Sequence, residues 1–320
     1  MKRWQKLVGT IGLGLVFASP MGVNAEGEEY IHVPGYTLKD RLIRETTDKS
    51  SEKWYEKMEV LSERFGNGEL TSEEFNEQYE QLEQARIEEE ELINQFSLIK
   101  KDTVKEMREI DYDWEDAHLH GLEYAENLES LGGEFINGIV DFRPIQNLTT
   151  LKEIWVQYAD QATLREFKKL TNLEVLRLSG EGFASEEERE EAEQHAREQD
   201  KSMPLYTQAA LTDISALSNA TNLSSVRVYS KGVLPTITLK RGTTSYQLYD
   251  PIISSSQFDG ATMNYVSQIV DNYDFEPYES SEELKWEGLT GTEEFLLFNW
   301  SIKKGNNEFS GEAQIPIRWR

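Results

Sequence analysis

Cysteine is absent from all 320 positions, which excludes disulfides, a thiol nucleophile and a lipid attached through an N-terminal cysteine. Basic residues are scarce too: 33 Lys and Arg stand against 59 Asp and Glu, a formal charge of −26. Such a field repels nucleic-acid phosphates and anionic membrane surfaces, so neither is expected as a partner. Long apolar runs are missing after the first 25 residues, and no later stretch reaches membrane-spanning length. Catalytic patterns are missing as well. There is no G-x-S-x-G and no phosphate-cradling glycine loop. Histidine occurs four times, at His32, His118, His120 and His195. His118 and His120 could offer two metal ligands, but no third is placed by spacing. A carboxylate-pair hydrolase needs two selected acids, and nothing selects a pair among 59. No metal, no cofactor and no enzymatic activity are expected.

What is present begins with an export signal. Lys2, Arg3 and Lys6 precede an apolar run from Leu7 to Ala18, and Val23-Asn24-Ala25 forms a small-residue cleavage site. The pattern predicts a signal peptide over 1–25, a mature chain starting at Glu26 and a secreted protein with no later membrane span. The signal holds three basic and no acidic residues, so residues 26–320 carry 30 basic against 59 acidic, a charge of −29.

Residues 26–118 read as acidic and helical. Trp54, Met58, Leu61 and Phe65 recur at helical spacing, Gly66-Asn67-Gly68 breaks the pattern, and Thr71-Ser72-Glu73-Glu74 reads as a capping box. Phe75, Tyr79, Leu82, Ile93 and Phe96 then mark a second stripe, predicting a helical hairpin. An EF-hand register over the same turn places Phe65 where calcium needs an oxygen, which rules it out.

One phrase then repeats four times. It runs Ala125-Glu126-Asn127-Leu128, Leu148-Thr149-Thr150-Leu151, Leu170-Thr171-Asn172-Leu173 and Ala220-Thr221-Asn222-Leu223, each followed by alternating apolar residues. The final leucines are separated by 23, 22 and 50 positions, the last being one period plus an insertion of 28. A period near 22 with this leucine spacing predicts leucine-rich repeats over 119–232, with a parallel sheet on the concave face. The insertion, 183–206, is polar on every side; it is either a solvated excursion or a partner-binding arm. From 233 to 320 the texture changes to strands at 236–241, 284–289, 295–302 and 309–319, predicting a β-sandwich with Trp286, Phe298 and Trp300 in its core.

Gly121-Leu122-Glu123-Tyr124-Ala125-Glu126-Asn127-Leu128 resembles the opening repeat of internalin-like leucine-rich-repeat proteins of Firmicutes. The turns Ile139 to Ile145 and Leu211 to Leu217 resemble that family's convex side, and Phe309 to Ile317 resembles the last strand of its immunoglobulin-like domain. The resemblance implies a multidomain chain: helical cap, short repeat solenoid and immunoglobulin-like sandwich. It also implies protein–protein adhesion or signalling. The asparagine that usually ends each strand is replaced by Ala159, Glu181 and Lys231, so the turn carbonyls need other donors.

Alternation along strands sorts the outward residues into three columns. These are Ser130, Glu153, Val175 and Ser225; Gly132, Trp155, Arg177 and Arg227; and Glu134, Gln157, Ser179 and Tyr229. Trp, Tyr and Arg are the types enriched at binding hot spots. The candidate ligand-binding residues are therefore Trp155, Arg177, Arg227, Gln157, Tyr229 and Glu153, facing an acidic or aromatic patch on a protein ligand. The competing reading has the two arginines neutralising nearby carboxylates and Trp155 covering a gap in the first repeat. Two partner classes stay open: a host protein bound by a secreted adhesin, or a surface protein of the producer's own envelope, with the chain loosely held at the cell surface.

Overall fold

The computed structural model describes residues 21–23, 29–111, 118–133, 138–139, 141–158, 161–180, 208–269 and 280–320. Most of the expected signal peptide, Glu134, Ala159, Glu181 and the insertion 183–206 lie outside the described residues. The chain forms two compact units, Met1–Met107 with His120–Glu126, and Arg108–Leu119 with Asn127–Arg320.

In the first unit, strands β1 (Met21–Val23) and β2 (Glu29–Ile31) pair antiparallel. Helix α1 (Tyr36–Gly66) and helix α2 (Ser72–Phe96) follow as the expected hairpin. Strand β3 (Ile99–Lys100) joins β2, and the short helix α3 (Lys101–Glu106) comes next. Apolar burial is concentrated at one end of the hairpin, where Leu38, Leu42, Ile93, Ile99 and Val104 are all buried. Midway along, the Arg86 guanidinium lies 5.5 Å from the Trp54 ring centroid and bonds Glu83 and Glu90 on its own helix. Toward the turn the helices are thinly covered: Phe65 and Tyr79 remain 40% and 39% exposed, flanking Phe75. No helix among the described residues is long and apolar enough to cross a membrane.

The turn between the helices ends in the capping box expected from Thr71 and Glu74. Thr71 Oγ1 accepts from the Glu74 N–H, and Glu74 Oε2 accepts from the Thr71 N–H and hydroxyl. Those bonds, the backbone one first, hold the Glu74 carboxyl below the usual range. A lowered folded-state value stabilises the helix above the ordinary glutamate titration and withdraws that contribution as pH falls through the lowered value.

The second unit is built on one nine-stranded sheet. Strands β4 (Glu109–Asp111), β5 (Ser130–Gly132), β6 (Glu153–Gln157), β7 (Val175–Ser179) and β8 (Ser225–Val233) pair in that order, all parallel. The connections pass through 3-10 turns at Arg143–Ile145, Arg165–Lys169 and Ser215–Asn219. One strand and one 3-10 turn per period is the form of a leucine-rich repeat. The repeat leucines Leu128, Leu151, Leu173 and Leu223 are buried together with the inward strand residues Leu131, Ile154, Leu176 and Val226. The helical turns begin in part on aspartate. Asp141 and Asp213 accept the N–H groups of Arg143 and Ser215, two residues on.

Strands β9 (Ile237–Leu239), β10 (Ser245–Leu248), β11 (Asn264–Gln268), β12 (Leu284–Glu287), β13 (Phe295–Lys304) and β14 (Asn307–Trp319) complete the unit. β10 and β12 form a separate antiparallel pair. That pair meets the main sheet through Trp286, whose ring stands edge-on to Phe298 at 6.1 Å and whose Nε1 donates to the Leu297 carbonyl. Trp286, Phe298 and Trp300 are buried, as the alternation in these segments predicts. β11 and β13 lie on the far side of β14, while β14 itself pairs parallel to β8 from Glu308↔Arg227 to Gln314↔Val233. The sheet of the repeats thus continues into the C-terminal strands, and β8 runs through 232, the expected end of the repeats.

That junction has almost no room. A Cβ on Gly311 would stand 2.3 Å from the Ser230 carbonyl oxygen and 2.5 Å from the Trp300 ring.

Two outcomes are expected from these contacts. Helicity measured by circular dichroism should fall on acidification more in the native chain than in Glu74→Ala, which lacks the carboxylate half of the cap. Gly311→Ala should lower stability by about 1–3 kcal/mol in urea unfolding, through overpacking against backbone that cannot yield.

Candidate functional site

The candidate residues stand on β6, β7 and β8, where apolar and polar positions alternate. Ile154, Val156, Leu176, Leu178, Val226 and Val228 point inward and are buried. Their neighbours face outward on the side opposite the repeat core. Pairing is in direct register, so Glu153 meets Val175, Trp155 meets Arg177, and Gln157 meets Ser179. On the next strand Val175, Arg177 and Ser179 meet Ser225, Arg227 and Tyr229. Gly132 on β5 stands opposite Trp155. The columns drawn from the repeat alignment are therefore hydrogen-bonded neighbours, with Glu134 outside the described residues.

Trp155 is 44% exposed. Its indole lies across Gly132: a Cβ built there would come within 1.8 Å of Nε1 and 2.6 Å of Cδ1. The missing side chain at 132 is what leaves room for the ring over β5. Trp155 thus covers the gap in the first repeat with one side and leaves the rest of the ring to solvent.

Arg177 and Arg227 are exposed neighbours on adjacent strands. Among the described residues neither guanidinium makes an ion pair or a hydrogen bond. Carboxylates nearby are engaged elsewhere. Glu129, at the head of β5, is held by Lys152 and Arg108, which push its carboxyl below the usual range, the Lys152 hydrogen bond most strongly. Glu308, beside Arg227 in register, pairs with Lys303 at 2.9 Å.

The remaining candidates divide. Glu153 is exposed at the start of β6, and Gln157 is half-buried at its end. Tyr229 is half-buried and tied into the sheet: its hydroxyl donates to Glu312 Oε1 at 3.1 Å, and the Lys231 ammonium sits 5.4 Å from its ring centroid. Its carbonyl accepts from the Gly180 N–H and from the buried Tyr158 hydroxyl, whose phenol burial pushes well above its usual titration. Gln208 does work here that an end-of-strand asparagine would do. Its amide donates to the carbonyls of Gly180 and Lys231.

Sequence reasoning missed Glu308, Lys303, Gln208 and Glu312. The first two extend the ladder of Gly132, Trp155, Arg177 and Arg227 by two strands, through Glu308↔Arg227 and Lys303↔Glu308. No local signal marks them, because the pairing joins segments 81 positions apart. Two surface recesses, of 320 and 530 Å³, lie on the helical hairpin beside Leu61 and Ile87 and not on the strand face. Among the described residues no group of three or more His, Asp or Glu is placed to hold a metal ion.

No protein-family model matches the sequence, and no curated protein matches it either. Among solved structures, internalin C2 from Listeria monocytogenes aligns at 16% identity with a TM-score of 0.29, over 41% of this chain and 45% of that one. The internalin InlF from the same species aligns at 18% identity with a TM-score of 0.24, over 41% and 37%. A structure of the CBM51-2 and INT domains of Clostridium perfringens ZmpB aligns at 11% identity with a TM-score of 0.22, over 86% and 50%. The chain spans half or less of the length of each. Likenesses this slight assign it to no family.

Gly132→Ala tests how the tryptophan is seated. In protein labelled with 5-fluorotryptophan, the fluorine resonance assigned through Trp155→Phe should move in Gly132→Ala, while the other tryptophan signals stay in place.

Proposed function

We propose that this chain is a secreted protein-binding module of the internalin-like kind, which engages a protein ligand through the open strand face of its repeats and catalyses no reaction. The observation that carries this reading is the exposed Trp155 in direct register with Arg177 and Arg227, two arginines that make no ion pair among the described residues. A half-exposed aromatic beside guanidiniums is the composition of a hot spot, where apolar area and directional charge act at one place. On such a face a small number of side chains would carry most of the affinity. Glu153 would border this cluster, and Gln157 and Tyr229 would line it from half-buried positions.

A second reading is favoured by a different observation. The aromatic group Phe65, Phe75 and Tyr79 at the hairpin turn is only partly covered. A module that associates with the producer's own envelope proteins could use that turn and leave the strand face unused.

The test is binding of labelled residues 26–320 to cultured epithelial cells and to purified envelopes of the producing bacterium. Trp155→Ala should cost about 2 kcal/mol, roughly thirtyfold in affinity, in a variant whose circular dichroism remains that of the folded chain. Binding confined to envelopes, unaffected at Trp155 and lost on Phe65→Ala, would replace the strand-face reading with the hairpin one.

A further inference from the structure

Arginine pairing in this chain is lopsided. Among the described residues Arg41, Arg44, Arg64, Arg86, Arg108, Arg143 and Arg165 each form an ion pair with a glutamate or aspartate, whereas Arg177, Arg227, Arg241, Arg318 and Arg320 form none; of these five, Arg177 and Arg227 face each other in strand register. In a protein with 59 acidic residues against 33 basic ones, a carboxylate is easily found. Arg177 and Arg227 nevertheless stand beside each other in register, unpaired among the described residues. Like charges opposite one another on adjacent strands destabilise a sheet. Arg227 also has a carboxylate at the next register position, Glu308, which turns away to Lys303 at 2.9 Å.

We propose that Arg177 and Arg227 form a clamp for one carboxylate of an acidic segment in a protein partner, and that Lys303 keeps this clamp open by holding Glu308 away from Arg227. The proposal rests on the strand face being the binding surface. Adjacent strands lie about 4.8 Å apart, so a single carboxylate can reach both guanidiniums, each of which offers a planar pair of donors. Trp155, one strand further on, offers flat apolar surface to whatever side chain neighbours that acid. The overall charge of −26 opposes any polyanion, so the attraction is local to the arginine pair. Trp155 beside that pair favours an acid neighboured by an apolar or aromatic side chain, as in a polypeptide, over a polyuronate chain, which carries none. Lys303 and Glu308 are positioning residues here. Without the ammonium, Glu308 is the nearest carboxylate in register to Arg227 and would fill the clamp from within.

The experiment uses the full chain with a random glutamate–tyrosine copolymer as probe and polygalacturonate as the polysaccharide arm. Affinity is measured by biolayer interferometry at low salt, alongside the arginine Nε–Hε resonances of ¹⁵N-labelled protein. The copolymer should shift the Arg177 and Arg227 signals together, and Arg177→Gln/Arg227→Gln should weaken binding by about tenfold or more. Lys303→Ala should weaken it by up to about fivefold, the worth of an exposed ion pair, and adding Glu308→Gln to Lys303→Ala should restore it. A merely structural role for Lys303 would not be rescued by removing the charge at 308.

The proposal is overturned if the copolymer leaves the two resonances unmoved, if Lys303→Ala binds as the native chain does, or if the rescue fails. Binding of polygalacturonate in preference to the copolymer overturns the choice of partner. Cell binding lost in Trp155→Ala but kept in Arg177→Gln/Arg227→Gln would sink the clamp and leave the strand-face reading standing. Cell binding kept in both variants would end both.

Discussion

The parallel pairing of β14 with β8 is the contact on which the rest of the second unit depends. It joins Glu308–Gln314 to Arg227–Val233 across roughly eighty residues of intervening chain, so its formation carries a substantial loop-closure cost and no local turn guides it. What admits it is the absence of side chains. Gly311 has the Ser230 carbonyl and the Trp300 ring where a Cβ would be, and Gly232 has the backbone of Ala209 and Ala210 in the same place. Gly311 thus lets β14 approach β8 closely enough to hydrogen-bond in register, while Gly232 admits the backbone of 208–210 against β8. Tyr229 then reaches Glu312, and the Asn307 side chain accepts the Val226 N–H at the strand's start.

The face opposite the core is shaped by the same pairing. Had the repeat sheet ended at β8, Arg227 would lie on an edge strand with its outer side open. Instead it has Glu308 beside it, and the charge pattern of the ladder is set by how Glu308 is held. Exposed ion pairs on the acidic surface such as Arg64–Glu69 and Lys105–Glu126 contribute little to stability, since water and salt screen them and two long side chains must be ordered. Stability of the repeats comes from the buried columns Leu128–Leu151–Leu173–Leu223 and Leu131–Ile154–Leu176–Val226. Arg177 and Arg227 are thereby relieved of a folding role, which leaves a doublet that is unpaired among the described residues tolerable.

Local periodicity made much of this chain legible. The hairpin, its Thr71–Glu74 capping box and the repeat register all follow from spacings of a few residues, because helix and strand each impose a fixed period on which side chains share a face. The aromatic cluster of Trp286, Phe298 and Trp300 was legible for the same reason. The short strands Ser245–Leu248 and Asn264–Gln268 were not, since their half-buried, polar sequences carry no clear alternation. Nor was Gln208 as the donor that stands in for the missing asparagines. Its two acceptors, Gly180 and Lys231, are more than twenty residues away in either direction.

The amino-acid sequence by itself determined which residues face outward on each repeat strand and that Trp155, Arg177 and Arg227 share a column, because a repeat copies one local conformation and the pleat alternates its sides. Whether those arginines would be neutralised depended on tertiary structure alone. Charge partners are chosen by distances between side chains, and those distances were set when β14 docked on β8 and Lys303 claimed Glu308.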